Sequence, residues 1–500
     1  MARKIIYLPL DERPCNYLFP REIFAGTDIA VAAPPAAAMG KKKTPGDFQL
    51  IREFLLNECK DAYGAVISVD TLLYGGIVPS RLHHLALEEL ISRLSLLSEL
   101  KKRNPELALY AFQLIMRTPQ ESISEEEPEY YGECGREIFL RGYYRNKERL
   151  GIITDEERQA AAAVKIKPEY IDDYLNRRRV NLAMNRATLE LLAAGVIDFL
   201  VIPQDDASEY GFPSMDQAEL RAVIAEKRLG PSVYLYPGAD EVGCVLLARM
   251  LNKVKGGTPR VFLKYPSPSA PMVIPCLEDR PLDVTAKYHI ASAGGVSASS
   301  LADADIALLL LIGADKMIPR PGAAPGRGVD VLSNLPECFE FARRALADGR
   351  PVAVADLIHL NGGSPEVLSY IKRAGLTMKL AAYAGWNTAS NSLGTAIAQA
   401  IVYHYYGDRP EHRFFLVKRY IEDIGYCGVV REKVASEIIS RGLSYFNVGE
   451  EDGWAARRVE EELNKFFADQ LPEVFREYRL EDARLPWKRM FEVDFKVKER

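Results

Sequence analysis

Histidine and tryptophan are scarce in this sequence, and paired cysteines, long apolar runs and a basic excess are missing. Six histidines in 500 residues, of which only His83 and His84 are adjacent, offer little to a histidine-based metal site. The cysteines (Cys15, Cys59, Cys134, Cys244, Cys276, Cys338 and Cys427) are odd in number, dispersed and without a CxxC spacing. They read as reduced thiols of a cytosolic protein and imply neither a disulfide framework nor zinc. The longest apolar run, Ile306 to Ile312, is far too short to cross a bilayer. The N-terminal run ends in Asp11-Glu12 and is too short for a secretion signal. A cytoplasmic location and no membrane partner are therefore expected. A net charge of -5 supplies no excess of cations for phosphate neutralisation, which argues against a nucleic-acid partner. No P-loop, GxSxG, HExxH or GxGxxG pattern occurs.

What the chain does have is rhythm. Apolar runs at Lys4–Leu10, Ile29–Ala33, Gly64–Val69, Ala108–Met116, Ile197–Ile202 and Ser232–Tyr236 alternate with polar loops and amphipathic segments. Strand, loop and helix repeated in this way predict an α/β fold built on a parallel sheet. A closed barrel needs eight strands, and only six candidates precede Lys255, so a barrel-like closure would have to borrow from elsewhere. Lys255-Gly-Gly-Thr-Pro-Arg260 reads as a domain boundary. The expected division is 1–256, with a helical insertion at 118–190, then a smaller doubly wound α/β unit at 257–407, and a mainly helical C-terminal region at 408–500. Within the second unit a Gly/Pro-rich loop is expected over 313–328. Within the last region a helix is expected over 471–478 and a half-exposed strand over 491–498.

The chemistry-bearing residues gather where strands end, the edge at which parallel sheets bind ligands. Asp11, Glu12, Arg13 and Asn16 follow the first strand. Asp70, Tyr74 and Arg81 follow the third, Arg117 the fourth, Asp205-Asp206 the fifth and Asp240-Glu241 the sixth. Two like charges in sequence push their pKa values apart, which suits acid/base work, yet Asp-Asp-x-Ser is equally a turn and helix cap. Asp240-Glu241 has the same double reading, since acids favour a helix N-terminus. Arg177, Asn181 and Asn185 share one helix face. That face reads as solvated or interdomain, or as a polar wall over the pocket. Trp386-Asn387 reads either as an aromatic plane for a sugar's C–H face or as a core aromatic at a strand end.

Consecutive acids at a strand end resemble those of substrate-assisted hexosaminidases. That resemblance implies that Asp205 polarises the substrate's acetamido group and that Asp206 donates the proton. The combination Pro-Leu-Asp-Glu-Arg-Pro-Cys-Asn (9–16), Gln204-Asp-Asp-Ala-Ser208, Gly238-Ala-Asp-Glu-Val-Gly243 and Gly385-Trp-Asn-Thr388 resembles a bacterial family catalogued as a domain of unknown function. It runs along most of the chain, implies one multi-part protein and implies no activity. The expected function is a glycoside hydrolase acting on a small carbohydrate, with N-acetylhexosaminides as one class. Asp205 and Asp206 are the catalytic pair, and no cofactor or resident metal is called for. Two alternatives stand beside it. One is a carboxylate–Mg²⁺ enzyme drawing on Asp11, Asp70 and Asp205 for a phosphorylated or acidic substrate. The other is a non-catalytic sugar-binding protein. Homo-oligomerisation is compatible with all three.

Overall fold

The computed structural model describes residues 3–323 and 326–500. Met1 and Ala2, and Ala324 and Pro325 of the Gly/Pro-rich loop, lie outside the described residues. The chain forms two compact units: Met1–Tyr17, Asp28–Leu246 and Leu277–Asp279 in the first, Leu18–Thr27, Leu247–Cys276 and Arg280–Arg500 in the second.

The first unit is built on six strands: β1 (Arg3–Leu8), β2 (Ile29–Ala32), β3 (Gly64–Ser68), β4 (Ala108–Phe112), β5 (Phe199–Gln204) and β6 (Val233–Pro237). Every pairing is parallel and the order is β2-β1-β3-β4-β5-β6. β3, β4 and β5 are buried at every residue, as strands must be when helices cover both faces. The sheet is open, with β2 and β6 at its edges, so the barrel-like alternative is not realised. From β1 the chain adds β2 on one side and β3 on the other, which makes the carboxyl ends of β1 and β3 a topological switch point, the usual crevice of such folds. The insertion folds into helices Tyr131–Leu150, Asp155–Ala163 and Pro168–Ala193. A reciprocal capping box between Thr154 and Glu157 starts the second of these.

The second unit has five parallel strands: β7 (Arg260–Lys264), β8 (Val296–Ser297), β9 (Ile306–Leu311), β10 (Val352–Asp356) and β11 (Ala382–Ala384). Their order is β8-β7-β9-β10-β11. Counted within the unit this is 2-1-3-4-5, the order of the first five strands of the other sheet. The internal resemblance therefore extends from rhythm to topology. β8 falls in what reads in sequence as a small-residue loop, because two residues carry no periodic pattern.

The three-part division needs correction. The boundary falls between Leu246 and Leu247, inside the continuous helix Val242–Lys255, and the Gly-Gly-Thr-Pro stretch merely stops that helix. Residues 408–500 are part of the second unit. One apolar core runs from Leu309 and Val354 through Leu416, Ile424, Val459 and Leu463 to Phe495. The amphipathic helices of this region bury their apolar stripes in that core, with helix Pro410–Arg419 packed on β11. The expected helix at 471–478 is short, Pro472–Glu477. It passes into β12 (Tyr478–Arg484), which pairs antiparallel with β13 (Asp494–Glu499). Tyr420–Val430 winds as a π-helix, a form associated with local functional or packing demands.

Candidate functional site

The carboxyl edge of the first sheet collects the expected residues into two hydrogen-bonded groups. In the first, Arg13 grips Asp11 through Nη2 at 2.6 Å and Nε at 2.9 Å, and its Nη2 also lies 2.6 Å from Asp240. Asn16 donates to both acids, at 2.9 Å to Asp11 and 2.8 Å to Asp240. The loops after β1 and β6 thus meet through one cation and one amide. Between the ends of β1 and β3, the Thr71 hydroxyl lies 2.7 Å from the carbonyls of both Pro9 and Leu10. Its neighbour Asp70 is 3% exposed and accepts from the Leu114 amide at 2.9 Å. Burial raises the Asp70 carboxyl to about 7, against the smaller opposing pull of its backbone hydrogen bonds and Arg81.

The second group surrounds the Asp205-Asp206 pair. Arg81 donates to Asp205 at 2.6 Å, to Glu126 at 2.9 Å and to Glu127 at 3.4 Å. Arg117 donates to Asp206 and to Glu127 at 2.8 Å each and to Glu126 at 3.1 Å, with Asp205 at 3.6 Å from the same Nη1 that binds Asp206. Consecutive side chains on a strand diverge. Here they converge on one guanidinium because Asp206 adopts φ +45°, a left-handed conformation uncommon outside glycine. The helix-cap reading of this pair is not realised: the next helix begins at Phe212, and its cap residue, Gly211, makes no side-chain bond. At the rim, Glu12 accepts from the Lys42 amide at 2.9 Å, and the Lys42 ammonium pairs with Glu125.

Electrostatics join the two groups. Burial and then the Asp205 charge raise the Asp206 carboxyl to about 6, with Arg117 and Arg81 opposing. Burial raises Asp240 as well. Arg13 opposes that shift, and Asp11 and Asp205 add to it. Carboxylates outnumber guanidiniums in this network, so it retains protons near neutrality. Asp206, Glu126 and Asp205 are all partly exposed, their side chains 20%, 18% and 17% accessible.

Helix Pro168–Ala193 fixes the loops that carry this network. Arg177 donates to the His83 carbonyl at 2.9 Å, Arg178 to that of Met116 at 2.7 Å, Asn181 to that of Ser80 at 2.9 Å and Asn185 to that of Leu114 at 3.2 Å. All four side chains are buried. The solvated reading of this face is thus replaced by a clamp, which gives these loop carbonyls hydrogen-bond donors.

The remaining expected residues have other surroundings. The Glu241 carboxylate folds back onto its own turn, accepting from the Ala239 amide at 2.9 Å. Tyr74 is buried with its ring stacked on His83, and its hydroxyl has no hydrogen-bond partner among the described residues. Trp386 and Asn387 belong to the second unit. Trp386 is 7% exposed, meets Phe19 edge-on at 5.6 Å and donates through Nε1 to Thr395 at 3.3 Å. The indole is therefore a core aromatic, and the sugar-stacking expectation is corrected. Asn387, at φ 52°, accepts from the Asn361 amide through its carbonyl. Asp356, at the end of β10, accepts from the Ser364 amide at 2.6 Å and the Tyr383 hydroxyl at 2.9 Å. Nearby, Asp423 accepts from the Gly385 amide and pairs with the fully buried Arg419, forming a closed structural knot.

The sequence profile of DUF4127, a protein family of unknown function, matches residues 5–496. The chain belongs to this family. No curated protein and no solved structure matches it. For this DUF4127 member, the most informative residues missed by sequence reasoning are Glu126 and Glu127. They sat in an acidic stretch read only as part of an insertion. Glu127 is 1% exposed, and its Oε2 has no hydrogen-bond partner among the described residues. The available signal was a run of acids, Glu125-Glu126-Glu127-Pro128, closely following the strand-end Arg117. The Asp11, Asp70 and Asp205 set drawn on by the magnesium alternative is divided among Arg13, the Leu114 amide and Arg81. Among the described residues no group of three or more His, Cys, Asp or Glu is arranged to hold a metal ion.

Proposed function

We propose that the protein is a glycoside hydrolase acting on a small glycoside, with Asp206 as general acid/base and Asp205 as the stabilising carboxylate. The observation that carries this reading is the single Arg117 nitrogen facing both carboxylates, with the Asp206 carboxyl raised to about 6. A general acid works best when its pKa lies near the operating pH. The two acids are not equivalent. Asp205 has the short contact from Arg81, whereas Arg117 divides its donors among Asp206, Glu126 and Glu127. Asp206, whose carboxyl burial raises, is therefore assigned the general acid's role.

Both carboxylates reach one nitrogen, so their facing oxygens are closer than the sum of the two contacts. That spacing is short for an inverting pair, which leaves room between its acids for a water. It suits a double displacement in which the substrate's own acetamido oxygen attacks the anomeric carbon. Asp205 would accept from the acetamido N–H. The glycosidic C–O bond would break as Asp206 gives its proton to the leaving oxygen; water would then displace the acetamido oxygen from the anomeric carbon, restoring the acetamide, as Asp206 takes the water's proton. N-acetylhexosaminides are the substrate class this favours. The test is a panel of chromogenic aryl glycosides, with and without the N-acetyl group, offered to the protein and to Asp206→Asn. Cleavage lost in the variant, with ligand still bound, is the expected result. No cleavage anywhere in the panel would overturn the proposal.

A further inference from the structure

We propose that the first unit carries a second binding pocket, separate from the carboxylate network, that takes a small aromatic monocarboxylate. The pocket is a cavity of about 310 Å³ beside the turn Pro79–Arg81. That volume sits at the small end of ligand sites and suits a single ring with one substituent. Its apolar walls come from Pro45, Phe48, Pro79 and Leu85 together with the ring of Tyr74. Tyr74 stacks on His83 with centroids 4.5 Å apart and planes 26° apart, which presents a broad aromatic wall. The Arg93 guanidinium lies 4.9 Å from the centre of the Phe48 ring.

The charges point to an anion. Lys43 and Arg93 line the cavity, and among the described residues no carboxylate does. This is the opposite sign from the acid network, so one ligand cannot suit both places. Arg93 is held by the Leu73 carbonyl at 2.6 Å and by Glu89. Among the described residues Lys43 is held by Glu129 alone, whose side chain is 88% exposed. A solvated pair of that kind is weak, so a carboxylate against the apolar wall can replace it. His83 supplies a face without charge. Its Nδ1 accepts from the Leu85 amide at 3.3 Å, which leaves Nε2 to donate to Asn181 at 2.7 Å, and burial lowers its pKa to about 4. Pro79 stands in the wall of the pocket while Arg81, two residues on, reaches Asp205. The two sites thus share a turn and differ in chemistry.

Calorimetric titration of the full chain with benzoate and with benzyl alcohol, its uncharged counterpart, tests this directly and needs no catalytic readout. Benzoate should bind saturably and about tenfold more tightly than the alcohol. Lys43→Gln should remove that preference, and Leu85→Trp should fill the cavity and abolish binding of both probes. Equal affinity for the two probes, a preference that survives Lys43→Gln, or benzoate binding unchanged in a folded Leu85→Trp variant would each overturn the proposal.

Discussion

Replacing Asp70 by asparagine should make the stability of the first unit less sensitive to alkaline pH. The buried carboxyl is raised from 3.8 to about 7, chiefly by desolvation. The folded state therefore holds this proton more tightly than the unfolded chain does. The stabilising contribution is complete below the unfolded value of 3.8 and is lost as pH rises through about 7. Between about pH 5 and about pH 8.5 the wild type should lose roughly 2–3 kcal/mol from this group alone. Asparagine keeps an oxygen for the Leu114 amide and does not titrate, so the variant should not lose that increment. All three tryptophans, Trp386, Trp454 and Trp487, belong to the second unit. A urea transition seen by far-ultraviolet circular dichroism without a change in tryptophan fluorescence therefore reports the first unit. Wild type and Asp70→Asn would be compared at the two pH values. A stability difference that does not change with pH would refute the reasoning, because it would mean that Asp70 ionises in the folded chain as freely as in the unfolded one.

Four further outcomes are expected. For a glycoside that is cleaved, Asp206→Asn should lower turnover by about 100-fold or more, and the wild-type rate should fall as pH rises through about 6, where Asp206 loses its proton. Glu126→Gln should move that alkaline limb to lower pH, because the Glu126 charge is one of those holding the Asp206 value up; a limb that stays in place would separate Glu126 from the network. Gly363→Ala should destabilise the second unit by about 1–3 kcal/mol, since its new Cβ would stand 2.4 Å from the Tyr383 hydroxyl and 2.9 Å from Ile424. The tryptophan-fluorescence transition in urea would report it.

The six strands of the first sheet could be read from sequence to within a few residues, whereas β8 and β12 could not. Strands buried on both faces must be continuous apolar runs, and a run is visible without knowing its partners. The strand-end acids and arginines were visible for the same reason: a charge that abruptly ends such a run has few structural excuses. What sequence reasoning missed depends on distant neighbours. Glu126 and Glu127 look like any solvated acidic stretch until Arg81 and Arg117 are placed beside them. Trp386, flanked by polar residues, looked like a pocket residue, and only Phe19 and Thr395 show it to be core.

Asp205-Asp206 marks the division most clearly. The order of residues was enough to put two carboxylates at the end of a buried strand, on the edge where a parallel sheet binds ligands, because strand periodicity and sheet direction are local consequences of hydrophobic pattern. Whether they capped a helix or faced a common partner was a matter of tertiary structure. A left-handed φ at Asp206 and a guanidinium from the end of the neighbouring strand turn both acids to one point. Burial then raises the Asp206 carboxyl, and desolvation depends on the whole fold around a residue, which no run of neighbouring residues encodes.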